Sequence, residues 1–174
     1  MNLTSKHLHL RPVKIDDALS IHLYAGDEET TRYMLWGPNT YSQTLKYVED
    51  TITLNNMVPK KIYRFAIVLK YSDDLIGMID LTLKSSRVAE IGYILNRSHW
   101  NKGYTTEAMK IIINYAFKDL HLDKVFATCD KQNIASYRVM EKAGLHFVGT
   151  FTKYNPKLDK DLEGLLYELD KSAS

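Results

Sequence analysis

A chain of 174 residues is long enough to bury a core of its own and suits one domain over 1–174. With 45% hydrophobic and 25% charged residues, 8 Gly and 4 Pro, its composition excludes disordered, collagenous and coiled-coil classes. The 23 basic residues are scattered among 21 acidic ones, leaving a formal charge of +2 and no basic stripe, so no nucleic-acid partner is expected. The single cysteine, Cys129, rules out an internal disulfide framework and fits a reducing compartment. Met1 to Leu10 carries Lys6, His7 and His9 where a signal peptide would be apolar, and no stretch approaches the roughly 20 apolar residues of a membrane span. A cytoplasmic protein with no membrane partner is expected.

Leu8, Leu10 and Pro12-Val13 read as a first strand. Asp16 or Asp17 is placed to cap a helix carrying Ala18, Leu19, Leu23 and Tyr24, which Gly26 ends. Asp27 to Tyr33 reads as a brief helix before the turn Trp36-Gly37-Pro38-Asn39. Ser42 is the candidate cap of a longer helix with Leu45, Val48, Ile52 and Met57 on one side, stopped by Pro59. The period then changes. Ile62–Leu69, Leu75–Leu83 and Val88–Leu95 read as three strands of a meander, with Gly77 marking a bulge or close contact.

After Trp100–Thr105 comes a helix in which Ala108, Ile112, Ala116 and Leu120 recur every four residues. Lys124–Thr128 reads as a strand, Ala135–Ala143 as a helix closed by Gly144, and Phe147–Phe151 and Leu165–Leu169 as the last strands. One mixed α/β domain is the economical arrangement.

Residues 100–105 carry the first chemical signal. A strand runs into a glycine-containing turn that opens directly into a helix, whose first N–H groups lack intrahelical partners and whose dipole adds positive potential. Such a turn binds phosphate or pyrophosphate. Gly103 lets a ligand approach the backbone, Lys102 adds charge, and Thr105 and Thr106 supply hydroxyls. Taken alone, the same residues describe an ordinary turn and helix cap. Neither a Walker loop nor a GxGxxG fingerprint occurs in the sequence.

Context decides between these readings. Ala89-Glu90-Ile91-Gly92-Tyr93-Ile94-Leu95 followed by Trp100-Asn101-Lys102-Gly103-Tyr104-Thr105-Thr106-Glu107-Ala108 resembles the central motif of the GNAT N-acetyltransferases, above all their RimJ/RimL-like branch. Asn133-Ile134-Ala135-Ser136-Tyr137-Arg138-Val139-Met140-Glu141-Lys142-Ala143-Gly144-Leu145 resembles that branch's second motif, and Leu10-Arg11-Pro12 and Trp36-Gly37-Pro38 also fit. The resemblance implies a mixed, mostly antiparallel sheet of about seven strands, splayed centrally to admit pantetheine and flanked by helices. It implies acetyl-CoA as the donor, held by Ile94, Leu95, Asn96, Asn101, Lys102, Gly103, Tyr104, Thr105, Asn133 and Ser136. Trp100 stands where the superfamily usually has Gln or Arg. Asn101 stands where most members have glycine, and Asn tolerates a positive φ better than most residues.

Acetyl transfer from a thioester to an amine needs a held donor, a deprotonated amine, a stabilised oxyanion and a protonated leaving thiolate. An alkyl ammonium titrates near 10.4 and needs a base, whereas an N-terminal α-amine near 7.7–8.0 asks for less. Glu90 is the first candidate base, a position where the resemblance supplies a glutamate; it reads equally well as a structural partner of Arg64 or Arg87. Glu163 is the weaker alternative. Ser136 matches the branch's residue for protonating the thiolate. Met140 stands where many other members carry a tyrosine, so that tyrosine's role does not transfer, and Tyr137 lies about 100° around the helix from Ser136. The oxyanion is expected against backbone N–H groups from Ile94 to Asn96.

Cys129 reads as a small strand residue without a His–Asp partnership, and His7 and His9 alternate on a strand without a third ligand, so no metal is expected. By resemblance, Asp27 to Pro38 and the next helix form one wall of the acceptor cleft. Trp36 and Glu28 are the candidate acceptor contacts there, though the Asp27-Glu28-Glu29 run also describes a solvated helix face. The acceptor is an amine, either a peptide N-terminus of ribosomal-protein type or a small molecule such as a polyamine, amino sugar or aminoglycoside. A non-catalytic acyl-CoA sensor would keep the same loop. The sequence sets no oligomeric state, and a homodimer is compatible with it.

Overall fold

A computed structural model describes residues 3–173 of the chain, so Met1 and Asn2 of the opening segment lie outside the described residues. Seven strands form one sheet in the order β1-β2-β3-β4-β5-β7-β6. They are β1 (Leu8–Pro12), β2 (Ile62–Leu69), β3 (Leu75–Leu83), β4 (Val88–Leu95), β5 (Lys124–Asp130), β6 (His146–Asn155) and β7 (Lys160–Asp170). Every adjacent pair is antiparallel except β4 and β5. The helices are α1 (Ala18–Ala25), α2 (Glu28–Thr31), α3 (Tyr41–Asn56), α4 (Tyr104–Lys118) and α5 (Ile134–Lys142).

Strand alternation sorts the side chains into two cores. Phe65, Ile67 and Leu69 of β2 face α4, joining Ile79, Leu81, Ile91, Met109 and Ile112. Ala66 and Val68 face the other way, onto Ile21 and Tyr24 of α1 and Val48 of α3. Both layers follow from the period-2 pattern of a strand buried on two faces. On α4, Ala108, Ile112 and Ala116 are fully buried at four-residue spacing. The helix ends at Lys118, so Leu120 lies in the turn beyond it rather than extending the stripe. At Gly77 a Cβ would sit 2.3 Å from the Ile94 carbonyl oxygen, and the β2–β3 register shifts beside it, between Ile67 and Val68.

The structure corrects several local expectations. Thr40 caps α3, not Ser42: its hydroxyl accepts from the Gln43 N–H, and the Gln43 side chain accepts from the Thr40 N–H at 2.8 Å. Asp17 precedes α1 without a side-chain capping bond, because a bidentate pair with Arg11 and the Lys14 N–H engage its carboxylate. Burial alone would raise the Asp17 pKa, and these bonds more than offset it. Ile21 and Tyr24 form the buried face of α1, while Leu19 and Leu23 are exposed. β6 and β7 run several residues past their expected ends and form a long hairpin.

Candidate active site

β4 and β5 pair through only three residue pairs, Val88–Lys124, Ala89–Val125 and Glu90–Phe126. Beyond them β4 continues to Leu95 and β5 to Asp130, and the sheet opens between them. On its β3 side β4 remains bonded, the Asn96 N–H donating to the Ile76 carbonyl at 2.8 Å. Antiparallel alternation then directs the Ile94 N–H toward β3 and turns the Leu95 N–H toward the gap. The Leu95 carbonyl accepts the Trp100 indole N–H at 2.8 Å. Of the Ile94–Asn96 trio, Leu95 therefore has the N–H that faces the opening.

The gap leads to the loop before α4. Asn96 accepts from the Ser98 N–H, shaping a single 3-10 turn over Arg97–His99. Asn101 has φ +60° and Gly103, the N-cap of α4, has φ +81°. A Cβ at Gly103 would meet nothing within 4 Å, so backbone conformation selects glycine there and space stays open over the helix end. The first N–H groups of the 15-residue α4 lie at this end without intrahelical partners. Lys102 donates to the Ser98 carbonyl at 3.0 Å, which keeps its charge beside the loop. These features fit a pyrophosphate.

A cavity of about 260 Å³ occupies the place where the strands part. Ile91, Gly92 and Tyr93 of β4, Thr128, Cys129 and Asp130 of β5, and Asn133 and Ser136 of α5 form its inner wall. Its outer wall is Tyr33 to Trp36 on one side and Phe151, Lys153, Leu162 and Glu163 of the β6–β7 hairpin on the other. The hairpin is tied across the opening by Lys157, which donates to the Thr31 carbonyl at 3.1 Å.

Ser136 is held from several directions. Asn133, the N-cap of α5, accepts from the Ser136 N–H at 3.2 Å. The Tyr93 phenol lies 2.8 Å from Ser136 Oγ and 2.9 Å from the Ser136 carbonyl oxygen. Cys129 also bonds Ser136, and burial pushes its thiol up to about 11, so it is no thiolate nucleophile at neutral pH. Tyr137 turns away to stack on Tyr167, and Met140 is fully buried.

Glu90 lies one side chain behind the cavity wall. Its Oε2 pairs with Lys84 at 2.7 Å, and its Oε1 accepts from Thr128 at 3.3 Å. Neither expected arginine partner holds it: Arg87 pairs with Asp123, and Arg64 donates to Thr51 and sits over the Tyr47 ring. Nearby Asp80 is pushed up to about 6, chiefly by burial. Glu163 lines the cavity and pairs with Lys131 at 2.8 Å.

Trp36 lines the cavity, but Glu28 is exposed on α2 and does not. Asp27 caps α2 and pairs with Arg97 at 3.4 Å, linking this wall to the turn after β4. His7 and His9 diverge, one to Glu107 at 2.9 Å and the other toward Asp73. Among the described residues no group of three potential metal ligands occurs, and no helix is long and apolar enough to cross a membrane. Sequence reasoning did not single out Tyr93, Thr128 or the hairpin wall. The strand period offered a signal for Tyr93, which shares a face with Ile91 and Leu95.

Comparison with known proteins agrees with this geometry. Residues 7–146 match the model of the acetyltransferase (GNAT) domain family. An uncharacterized N-acetyltransferase, YnaD of Bacillus subtilis, is 32% identical over 158 residues, covering 90% of this chain and 89% of its own. A GNAT-family acetyltransferase structure from Bacillus anthracis superposes with a TM-score of 0.88 at 28% identity, covering 99% of both chains. The microcin C7 self-immunity acetyltransferase MccE, solved with acetyl-CoA and AMP, shares the fold at a TM-score of 0.83 and 18% identity, over 95% of this chain and 93% of its own.

Proposed function

The chain belongs to the GNAT family and is an acetyl-CoA-dependent N-acetyltransferase, and from that premise we propose that it acetylates the α-amine of a peptide N-terminus by direct attack in a ternary complex. The observation that carries this reading is the cavity at the β4–β5 gap, which has Ser136 on its inner wall and Trp36 and Phe151 on its outer wall. Donor and acceptor would enter from opposite sides and meet there. Direct attack is supported by Cys129, a half-buried thiol whose pKa is pushed up to about 11 and which is therefore a poor nucleophile at neutral pH.

The amine class follows from the carboxylates. Glu90 stands behind Thr128, Glu163 is paired with Lys131, and Asp130 accepts from the Gln132 N–H at 2.7 Å. None of these is a free base at the centre of the cavity. An α-amine, near 7.7–8.0, has a sizeable neutral minority at physiological pH and suits such a site better than an alkyl ammonium near 10.4. The apolar rim of Met34, Leu35, Trp36, Phe151 and Leu162 would receive the first side chain of the peptide.

In this reading the N-terminus of α4, Asn101, Lys102 and Gly103 hold the pyrophosphate, the Leu95 N–H meets the developing oxyanion, and Ser136 donates to the leaving sulfur. Glu90 accepts the amine's proton through the Thr128 hydroxyl or an ordered water. The likeness of the loop and the α5 segment to the RimJ/RimL-like branch supports the peptide acceptor, and a cytoplasmic site of action would accord with it. Asp130 and Glu163 on the same wall favour one second reading, a small polyamine whose far ammonium they receive. A panel of peptides with varied N-termini, polyamines, amino sugars and aminoglycosides, each offered with acetyl-CoA, tests the choice. Peptides should be turned over at least tenfold more efficiently. Preference for a polyamine or sugar would refute the peptide assignment, and binding without transfer to any amine would indicate a sensor.

A further inference from the structure

Tyr93 is a partly buried tyrosine on the cavity wall, with its phenol facing two oxygens of one residue. Its Oη is 2.9 Å from the Ser136 carbonyl oxygen and 2.8 Å from Ser136 Oγ, and burial raises its pKa far above the ordinary tyrosine range. At neutral pH it is therefore protonated, with one hydrogen to give. The carbonyl oxygen can only accept. When Tyr93 donates to it, the Tyr93 lone pairs receive the Ser136 hydroxyl hydrogen, and that hydrogen points into the wall instead of the cavity. When the Ser136 hydroxyl turns toward the cavity, Oγ is freed as an acceptor, and the phenol hydrogen can rotate to it without movement of the ring.

We propose that Tyr93 is the positioning residue for Ser136: it fixes the serine's rotamer at rest and becomes the donor to Oγ as Ser136 turns its own hydrogen to the departing sulfur. The role rests on reading the site as an acetyltransferase centre. The transfer forms the N–C bond and breaks the C–S bond. The amine's proton passes to Glu90 and on to solvent, sulfur takes the Ser136 hydrogen, and Ser136 regains one from solvent. The net change is one proton lost by nitrogen and one gained by sulfur. Tyr93 keeps its own O–H bond throughout and adds no proton to that balance. Its contribution is to stabilise the partial negative charge on Oγ as Ser136 donates, which a neutral donor already held in place does without moving.

The rest of the neighbourhood fits an anchored serine. The backbone of Ser136 is fixed by Asn133, and Cys129, which lines the same cavity wall, is an undissociated thiol at neutral pH. Tyr93 sits three residues past the last β4–β5 pair, so its strand is still anchored by β3 where the gap has opened.

The test is a double-mutant cycle with acetyl-CoA and the most active amine from the acceptor panel. Y93F removes one oxygen and keeps the ring's packing, and the melting temperature checks its fold. Y93F should lower kcat about tenfold with the KM for acetyl-CoA and the affinity for coenzyme A unchanged. S136A should lower kcat at least as much, and Y93F/S136A should match S136A alone within twofold, because a residue acting through Ser136 has nothing left to do once the hydroxyl is gone. Multiplying losses in the double variant, or an unchanged kcat in Y93F, would overturn the role while leaving the acetyltransferase reading intact. A wild type that binds coenzyme A but acetylates no amine overturns both.

Discussion

The Thr128 hydroxyl donates to Oε1 of Glu90 at 3.3 Å, two residues past the point where β5 parts from β4. Thr128 lines the cavity and Glu90 does not, so the hydroxyl is the carboxylate's link to a reacting amine. Glu90→Gln should lower turnover by roughly 10- to 100-fold at pH 7 and by less at pH 9, where more of the amine is already neutral. Thr128→Val, which keeps the shape and removes the link, should reproduce that pH dependence. Steady-state profiles of both variants from pH 6 to 9 check this. An unchanged profile in E90Q removes Glu90 as the base, and a normal one in T128V shows that a water carries the proton instead.

Gly103→Ala separates ligand binding from folding. The residue holds φ +81° with free space around it, so the variant meets backbone strain but no clash. A left-handed conformation costs a non-glycine residue about 1–2 kcal/mol, which thermal or urea unfolding would register. The new methyl group would also stand in the space above the α4 N-terminus. Calorimetry should show affinity for acetyl-CoA falling at least about tenfold, or 1.4 kcal/mol. A fall in stability with unaltered affinity would move the pyrophosphate away from this loop.

The loop was legible because all its parts are local: a strand, a turn and a helix start within a dozen residues. The meander strands were equally legible as short apolar runs rich in β-branched and aromatic residues, although burial on both faces left no alternation from which to read the face. The hairpin was not. Thr152 pairs with Glu163, Lys153 with Leu162 and Tyr154 with Asp161 on a largely exposed ribbon that carries no burial pattern to read. The cap of α3 was missed although Thr40 and Gln43 spell a capping box, because Ser42 drew the same inference two residues late. Within the site, Tyr93 and Ser136 are 43 residues apart, and Glu90 and Thr128 are 38 apart. Which strands neighbour each other decides those contacts, and no local pattern encodes that.

Asp80 gives the fold a pH dependence of its own. On β3, facing Arg64 and Glu90, its carboxyl is raised from 3.8 to about 6, chiefly by burial and also by Glu90, with Arg64 acting in opposition. A raised acid pKa means the folded chain keeps a proton that the unfolded chain releases between pH 3.8 and about 6. Stability therefore falls as pH climbs through that window, and the penalty is complete above it. Asp80→Asn removes the titration. The difference in unfolding free energy between variant and wild type should move in the variant's favour by on the order of 2 kcal/mol from pH 4 to pH 7.5. Urea melts at the two pH values measure it. A constant difference would mean that Asp80 titrates in the ordinary carboxylate range.

The outer wall depends on a cross-strand fit between Gly164 of β7 and Phe151 of β6. The two are register partners, and the Phe151 ring lies over the glycine so closely that a Cβ there would come within 2.4 Å of Cζ. Phe151 also lines the cavity. In Gly164→Ala the ring must shift, and because its far end is the nearest atom it can do so without moving the backbone. Overpacking of this kind costs about 1–3 kcal/mol in a closed core and should cost less on this exposed hairpin. The consequence falls on the acceptor. Its KM should rise severalfold while affinity for acetyl-CoA, held at the α4 end of the gap, stays within twofold of wild type. Steady-state kinetics with each substrate varied in turn would reveal it, and a change confined to the acetyl-CoA side would place the acceptor away from the hairpin.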